Sequence, residues 1–223
     1  MEVLERIGGL TLRQEDSLPL LGTDSLLLSR FATLRQGMRV LDLGCGVGVL
    51  EILLADREKT LTLDGVEIHP AAAALARRNL EENGLQGTIL AGDLRDRQVF
   101  SQGHYDLIVS NPPYFTTHSG PAATRRRAEA RSEGTCTLEE LCAAAAPRLK
   151  TGGRFALVYR SERLTDLLCT LRAHALEPKR MQLVQARQDK PPKLVLLEAI
   201  RQGKPGLKVE APLIGPFSTQ PEL

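Results

Sequence analysis

Apolar residues along this chain fall into short continuous runs separated by amphipathic stretches, an alternation that predicts strands covered on both faces and joined by helices. Val40-Leu41-Asp42-Leu43 is read as a strand and Val49–Ala55 as a helix, with Gly44, Gly46 and Gly48 in the turn between them. Leu61–Glu67 follows as a second strand, and Pro70 opens a helix over Ala71–Asn83 with Gly84 as its stop. Thr88–Ala91 gives a third strand, ending in Gly92-Asp93, and Tyr105–Ser110 a fourth that runs straight into Asn111-Pro112-Pro113-Tyr114. Thr137-Leu138-Glu139-Glu140 has capping-box spacing and starts a helix through Leu149, stopped at Gly152-Gly153. Arg154–Tyr159 is then a strand, and Ser161 caps a helix to about His174. Strand and helix in alternation imply an α/β fold with parallel neighbours. The alternation breaks at Met181–Ala186 and Leu194–Ile200, two strand-like runs with no helix between them, which read as a terminal antiparallel hairpin.

The first residues follow a different rhythm. Leu10–Arg13 alternates, Gln14–Ser17 is polar and Leu18–Leu21 is apolar again, so residues 9–21 are read as a short hairpin. Thr23 or Asp24 is expected to cap a helix over Ser25–Leu34. The chain is read as one domain over residues 1–223, with a hairpin-and-helix cover (8–36), a core (37–202) and an edge and tail (203–223). Phe115–Gly134 lacks apolar periodicity and is read as a long functional loop.

Composition narrows the partners. At 223 residues with 42% hydrophobic content the chain can bury a full core. A balance of 29 Lys and Arg against 27 Asp and Glu is too even to imply a polyanion partner, so any nucleic-acid contact must be local. The densest basic patch is Arg125, Arg126, Arg127 and Arg131, which suits phosphates or, equally, a solvated helical turn with internal ion pairs. The four cysteines form no Cys-x-x-Cys pair and the four histidines show no ligand spacing, so reduced thiols and no metal are expected. No 18 apolar residues run together, which points to a cytoplasmic protein with no membrane partner. Oligomeric state stays open.

Three places carry candidate chemistry. The glycine turn can bring backbone N–H groups and a helix N-terminus against a small ligand, or it is an ordinary strand-to-helix turn. Glu67, about 20 residues beyond the glycines, has two acceptor oxygens that suit a ribose diol, against the reading of a solvated loop acid. Asp93 can accept from an adenine amino group, although Gly-Asp also marks plain turns.

The glycine turn, the two acidic strand ends and Asn111-Pro112-Pro113-Tyr114 together resemble the Rossmann-like methyltransferases that use S-adenosylmethionine to methylate a planar nitrogen. Residues Asp16–Leu28, with Asn111–Phe115 and Ala130–Glu133, are similar to the bacterial tRNA1(Val) adenine-N6 methyltransferases, which act beside the anticodon of a valine tRNA. The resemblance spans roughly residues 8–212. It implies a mostly parallel seven-stranded sheet with an antiparallel C-terminal strand, S-adenosylmethionine as cofactor, S-adenosylhomocysteine as product and tRNA as partner. It also implies roles. Asn111 and the Pro112 carbonyl accept the two hydrogens of the target amine, while Tyr114 stacks on the plane bearing it. Thr23, Asp42, Gly44, Cys45, Gly46, Gly48, Glu67, Ile68, Asp93, Leu94 and Asn111 border the cofactor, and Pro113, Tyr114, Phe115 and the four arginines face the substrate. Ser132 stands where many relatives carry His, which bears on RNA-loop contacts more than on the chemistry. Protein-glutamine and DNA-adenine methylation by the same machinery are alternatives, as is a catalytically silent RNA-binding module.

Overall fold

A computed structural model describes residues 2–15, 21–96, 98–99, 104–112 and 136–217. Chain order runs β1 (Glu2–Ile7), β2 (Leu10–Glu15), α1 (Thr23–Phe31), β3 (Arg39–Leu43), α2 (Val49–Arg57), β4 (Thr62–Glu67), α3 (Pro70–Glu82), β5 (Ile89–Ala91) and β6 (Tyr105–Ser110). It continues α4 (Leu138–Arg148), β7 (Leu149–Arg160), a 3₁₀ turn (Ser161–Arg163), α5 (Leu164–Ala173), β8 (Leu176–Gln185), β9 (Leu194–Arg201), β10 (Lys208–Val209) and β11 (Leu213–Ile214).

The main sheet has the order β10-β8-β9-β7-β6-β3-β4-β5, with β11 also on β8. Strands β5, β4, β3, β6 and β7 pair in parallel, and β9 lies antiparallel between β7 and β8. The reversed strand is therefore present as expected. Nine strands rather than seven make up the sheet, because two-residue β10 and β11 pair along β8. Without them β8 would leave an open edge of unpaired N–H and C=O groups.

Strand parity sorts the side chains onto two faces. Val40, Leu63, Leu107, Val109 and Leu196 pack with Leu28 and Phe31 of α1 and Leu50 and Leu54 of α2. Leu41, Leu43, Ile108, Phe155 and Leu157 pack with Leu141 of α4 and Leu167 and Leu171 of α5. Asp42 shares parity with Val40, Glu67 with Leu63, and Asn111 with Leu107 and Val109, so the α1/α2 face is the one on which the candidate residues gather. β3 and β4 run out from one side of the β3/β6 seam and β6 from the other, and such a switch point is where α/β sheets open a crevice.

The N-terminal hairpin lies earlier than the sequence pattern suggests. β1 and β2 pair in register Ile7↔Leu10, so the turn is Gly8-Gly9 and not Gln14–Ser17. Gly8 sits at φ 55°, and a side chain there would run into Asp56. Asn79 of α3 and Asn83, the C-cap just beyond it, dock this hairpin. Asn79 accepts from the Arg13 N–H at 2.9 Å and donates to the carbonyls of Arg13 and Val47 at 3.0 and 2.8 Å. One turn later Asn83 accepts from Thr11 N–H and donates to the Thr11 carbonyl. The pair imitates a strand edge, and through Val47 it ties the hairpin to the glycine turn.

Three helix ends also differ from expectation. α1 begins at Thr23 behind Gly22, with no side-chain cap, so neither Thr23 nor Asp24 caps it. It stops at Phe31 because the N–H and hydroxyl of Thr33 are held by buried Glu198 at 2.9 and 3.0 Å. α4 has the expected Thr137–Glu140 capping box but ends at Arg148, and Gly152-Gly153 fall inside β7. Ser161 gives its hydroxyl to the Pro192 carbonyl at 2.6 Å, so it ties down the β9 approach and does not cap α5.

Asn79 is fully buried and makes three hydrogen bonds to backbone. Asn79→Ala leaves the Arg13 and Val47 groups unpaired and is expected to lower unfolding free energy by about 2–4 kcal/mol in urea denaturation.

Candidate functional site

The glycine turn is tied to the neighbouring strand. The N–H groups of Gly44 and Cys45 both donate to the Val66 carbonyl, at 2.9 and 3.1 Å. That sharp reversal needs positive φ at Gly44 (82°) and Gly46 (56°), and a Cβ at either would meet no atom within 4 Å. These glycines therefore leave open space; they do not make room for protein packing. Glu67, 7% exposed, then accepts from the Gly46 N–H with one carboxylate oxygen and from the His69 N–H with the other, both at 2.9 Å.

A small cleft opens at this corner, lined by Gly44, Val66, Glu67, Ile68, Gly92, Asp93, Leu94 and Cys136. Five of the expected cofactor residues, Gly44, Glu67, Ile68, Asp93 and Leu94, meet there. Thr23, Asp42, Cys45, Gly46, Gly48 and Asn111 stand outside that lining. Gly48 is the N-cap of α2 at φ 87°, where a Cβ would make ordinary contact with Ala76 of α3 at 3.4 Å. Asp93 binds Arg95 through both carboxylate oxygens, which holds its carboxyl below the usual range. Pro113, Tyr114, Phe115, Arg125, Arg126, Arg127 and Arg131 lie outside the described residues.

Asn111 leaves the end of β6 half-buried, and its amide nitrogen donates to the Ser25 hydroxyl at 3.0 Å. Ser25 is buried in α1, whose far end is held by Arg57 on the Ser29 and Ala32 carbonyls and by Arg180 on the Phe31 carbonyl. One step back, the Ser110 hydroxyl donates to the Leu43 carbonyl at 2.7 Å, fastening the ends of β6 and β3 together. Ser25 gives no signal in the sequence, because its importance comes from a contact 86 residues away.

Beneath the turn lie two buried acids, Asp42 and Glu51, with Asp42 Oδ1 and both Glu51 oxygens unpartnered among the described residues. Burial, reinforced by the Glu67 charge, pushes the Asp42 carboxyl up to about 8, and burial beside Asp42 pushes Glu51 well above its usual value. Burial raises the Cys45 thiol as well. Glu51 and Cys136 were not among the residues anticipated. The signal for Glu51 was a lone acid inside the apolar stretch Val49–Ala55; Cys136 had none.

A parallel sheet with one reversed strand, opening a cleft at a glycine turn, defines the methyltransferase class, and the profile of the methyltransferase small domain matches residues 21–173. The fold is shared with a predicted O-methyltransferase from Agrobacterium tumefaciens, at TM-score 0.69, 20% identity and 86% coverage of each chain. It is shared also with the geranyl diphosphate C-methyltransferase of Streptomyces coelicolor, at TM-score 0.58, 15% identity and 79% coverage of each chain. A tRNA1(Val) (adenine(37)-N6)-methyltransferase of Porphyromonas gingivalis is 36% identical over 186 residues, covering 79% of this chain and 72% of the relative. The chain belongs to this family of bacterial tRNA1(Val) adenine-N6 methyltransferases.

The Asp42 shift has a consequence for stability. The folded chain holds the Asp42 proton up to about pH 8, whereas an unfolded aspartate loses it near 3.8. Stability from that proton is complete below the lower value and is lost as pH rises through the upper one. Urea denaturation from about pH 5 to about pH 9 is expected to show stability falling with pH, and falling less steeply in Asp42→Asn.

Proposed function

We propose that this chain methylates the exocyclic N6 of adenine in tRNA, beside the anticodon of a valine tRNA, with S-adenosylmethionine as donor. The observation that carries this reading is the convergence of the β3, β4 and β6 ends on one face. There the Val66 carbonyl and Glu67 hold the glycine turn, Ser110 fastens the end of β6 to Leu43 beside it, and Asn111 is held by Ser25. The residues fit the cofactor: open glycines, a cleft walled by Glu67 and Asp93, and buried Asp42 with an orphaned oxygen. Glu67 would take the ribose, the Ile68 and Leu94 side of the cleft the adenine, and Asp42 the cationic end. The Streptomyces structure that shares this fold holds S-adenosyl-L-homocysteine. When bound, the cofactor supplies an electrophilic sulfonium methyl.

The chain's own task is to present a poor nucleophile. An exocyclic amine has its lone pair delocalised into the ring, and two acceptors on its hydrogens help free that pair. Asn111 Oδ1 and the Pro112 carbonyl are suited to be those acceptors. Because the Asn111 nitrogen is committed to Ser25, the oxygen end is the one left to face the amine. Holding amine and methyl in line removes entropic cost from the barrier, and no strong base is required, since the proton leaves readily once nitrogen is alkylated. Stacking by Tyr114 and phosphate contacts by Arg125, Arg126, Arg127 and Arg131 complete the substrate side of the proposal. An anticodon-loop base is already partly unpaired, so a small enzyme can reach it by splaying one nucleotide. Such a substrate is met in the cytoplasm; no helix of the described residues is long and apolar enough to cross a membrane.

Mass spectrometry of nucleosides from tRNA lacking the modification, incubated with enzyme and cofactor, is expected to show N6-methyladenosine. Methylation confined to release-factor protein or to DNA overturns the reading. Asn111→Ala is expected to lower kcat by roughly 10²–10³-fold with the melting temperature unchanged. Ser25→Ala, which frees the Asn111 amide to rotate, is expected to lower kcat about tenfold with the KM for cofactor unchanged.

A further inference from the structure

Two carboxyls lie against each other under the glycine turn, in a place where an apolar pair would have been the ordinary choice. Asp42 projects from β3 toward α2, and Glu51 projects from the first turn of α2 toward the sheet; they are 3% and 1% exposed. The opposing strand makes room for Glu51 with a glycine: a Cβ at Gly65 would come within 2.6 Å of Glu51 Oε1 and 2.9 Å of Cys45 Sγ. Gly65 is the register partner of Asp42, so the carboxyl that approaches it from α2 shares one buried space with the Asp42 carboxyl. No donor among the described residues reaches Asp42 Oδ1 or either oxygen of Glu51. The other titratable groups facing the pair are Glu67 from β4 and Cys45 from the turn, both acids, and neither Asp42 nor Glu51 has an ion-pair partner among the described residues.

Two adjacent carboxylates cannot both be charged in a dry site without a cation, so at least one proton stays between them. Position decides which group keeps it. Asp42 lies two residues before Gly44 of the turn, while Glu51 comes from the helix side against Gly65, the register partner of Asp42, and is the less exposed of the two. A charge on Asp42 is thus the one a ligand at the turn can neutralise, and a neutral Glu51 supplies the hydrogen bond that Asp42 otherwise lacks.

We propose that Glu51 is a positioning residue: it keeps its proton and donates its O–H to Asp42, so that Asp42 alone ionises when a cationic ligand arrives, giving its proton to solvent. This rests on the reading that the ligand at the turn is S-adenosylmethionine, whose product S-adenosylhomocysteine keeps the same α-ammonium group. The arrangement separates two functions that one carboxylate would otherwise combine. Glu51 fixes geometry, and Asp42 carries a charge that exists only when it is matched.

Titration calorimetry with S-adenosylhomocysteine, near neutral pH and in two buffers of different ionisation enthalpy, tests it. The wild type is expected to release protons on binding, and 5′-methylthioadenosine, which lacks the charged end, to release none. Glu51→Gln retains a donor and is expected to bind S-adenosylhomocysteine within about threefold of wild type, whereas Glu51→Leu binds at least about tenfold more weakly. Equal losses in the two variants, no loss in Glu51→Leu, or binding without proton release overturns the proposal. If Glu51→Leu does not fold, infrared spectroscopy decides. A protonated-carboxyl band that persists in the wild type with S-adenosylhomocysteine bound and is missing from Glu51→Gln supports the proposal, and its absence overturns it. A wild type that binds no S-adenosylhomocysteine removes the cofactor reading itself, and is thereby distinguished from failure of the Glu51 role alone.

Discussion

The structure depends on one carboxylate being spent on backbone. Glu67 closes the glycine turn by accepting the Gly46 N–H and fixes the entry to α3 by accepting the His69 N–H. Hydrogen bonds to an ionised acceptor are about twice as strong as neutral ones, and here they join the glycine turn to the start of α3. The turn is therefore anchored to β4, through Glu67 and the Val66 carbonyl, and not only to the helix it precedes. An acid at a strand end that also walls the cleft is held still by its structural duty, so whatever binds there meets a preformed edge.

The second half of the site is held by a different device. Asn111 follows a strand end and precedes a proline, a place with little regular structure to restrain a side chain. Its restraint comes from Ser25, and Ser25 is only as fixed as α1. That helix carries no side-chain cap at its start, but its end is gripped from two sides. Arg57 of α2 and Arg180 of β8 take its last carbonyls, and buried Glu198 of β9 takes Thr33 just beyond while pairing with Arg154 at 2.6 Å. An ion pair between β7 and the sheet's reversed strand, on the face that carries α1, thus supports the position of the amide at the mouth of β6.

Much of this was legible in the sequence, and the limit falls at a definite physical boundary. Strands buried on both faces announce themselves as continuous apolar runs, so Tyr105–Ser110 was read to the residue and β9 to within one. Pro70 and the Thr137–Glu140 box fixed two helix starts because those signals are local. The errors came where a polar residue had a distant partner. Ser161 looked like a cap and serves Pro192; Thr33 looked helical and serves Glu198; the hairpin was placed late because Gln14–Ser17 resembles a turn as much as Gly8-Gly9 does. Gly44, Glu67, Ile68, Asp93 and Leu94 line one cleft because a chain turn and strand ends bring them together, whereas Ser25 and Cys136 enter through tertiary contact alone.

The electrostatics reconcile two demands that pull in opposite directions. A cationic cofactor calls for acids at the glycine turn, and a polyanionic substrate is repelled by them. Each acid here is silenced by a separate means. Asp93 is matched by the Arg95 guanidinium, and Glu67 is turned onto two backbone N–H groups. Asp42 and Glu51 are buried enough to hold protons that exposed carboxyls would lose. Silenced as they are, they present little field at the distance of a phosphate, and Asp42 alone becomes a negative partner for the cofactor, at short range where low dielectric makes it count.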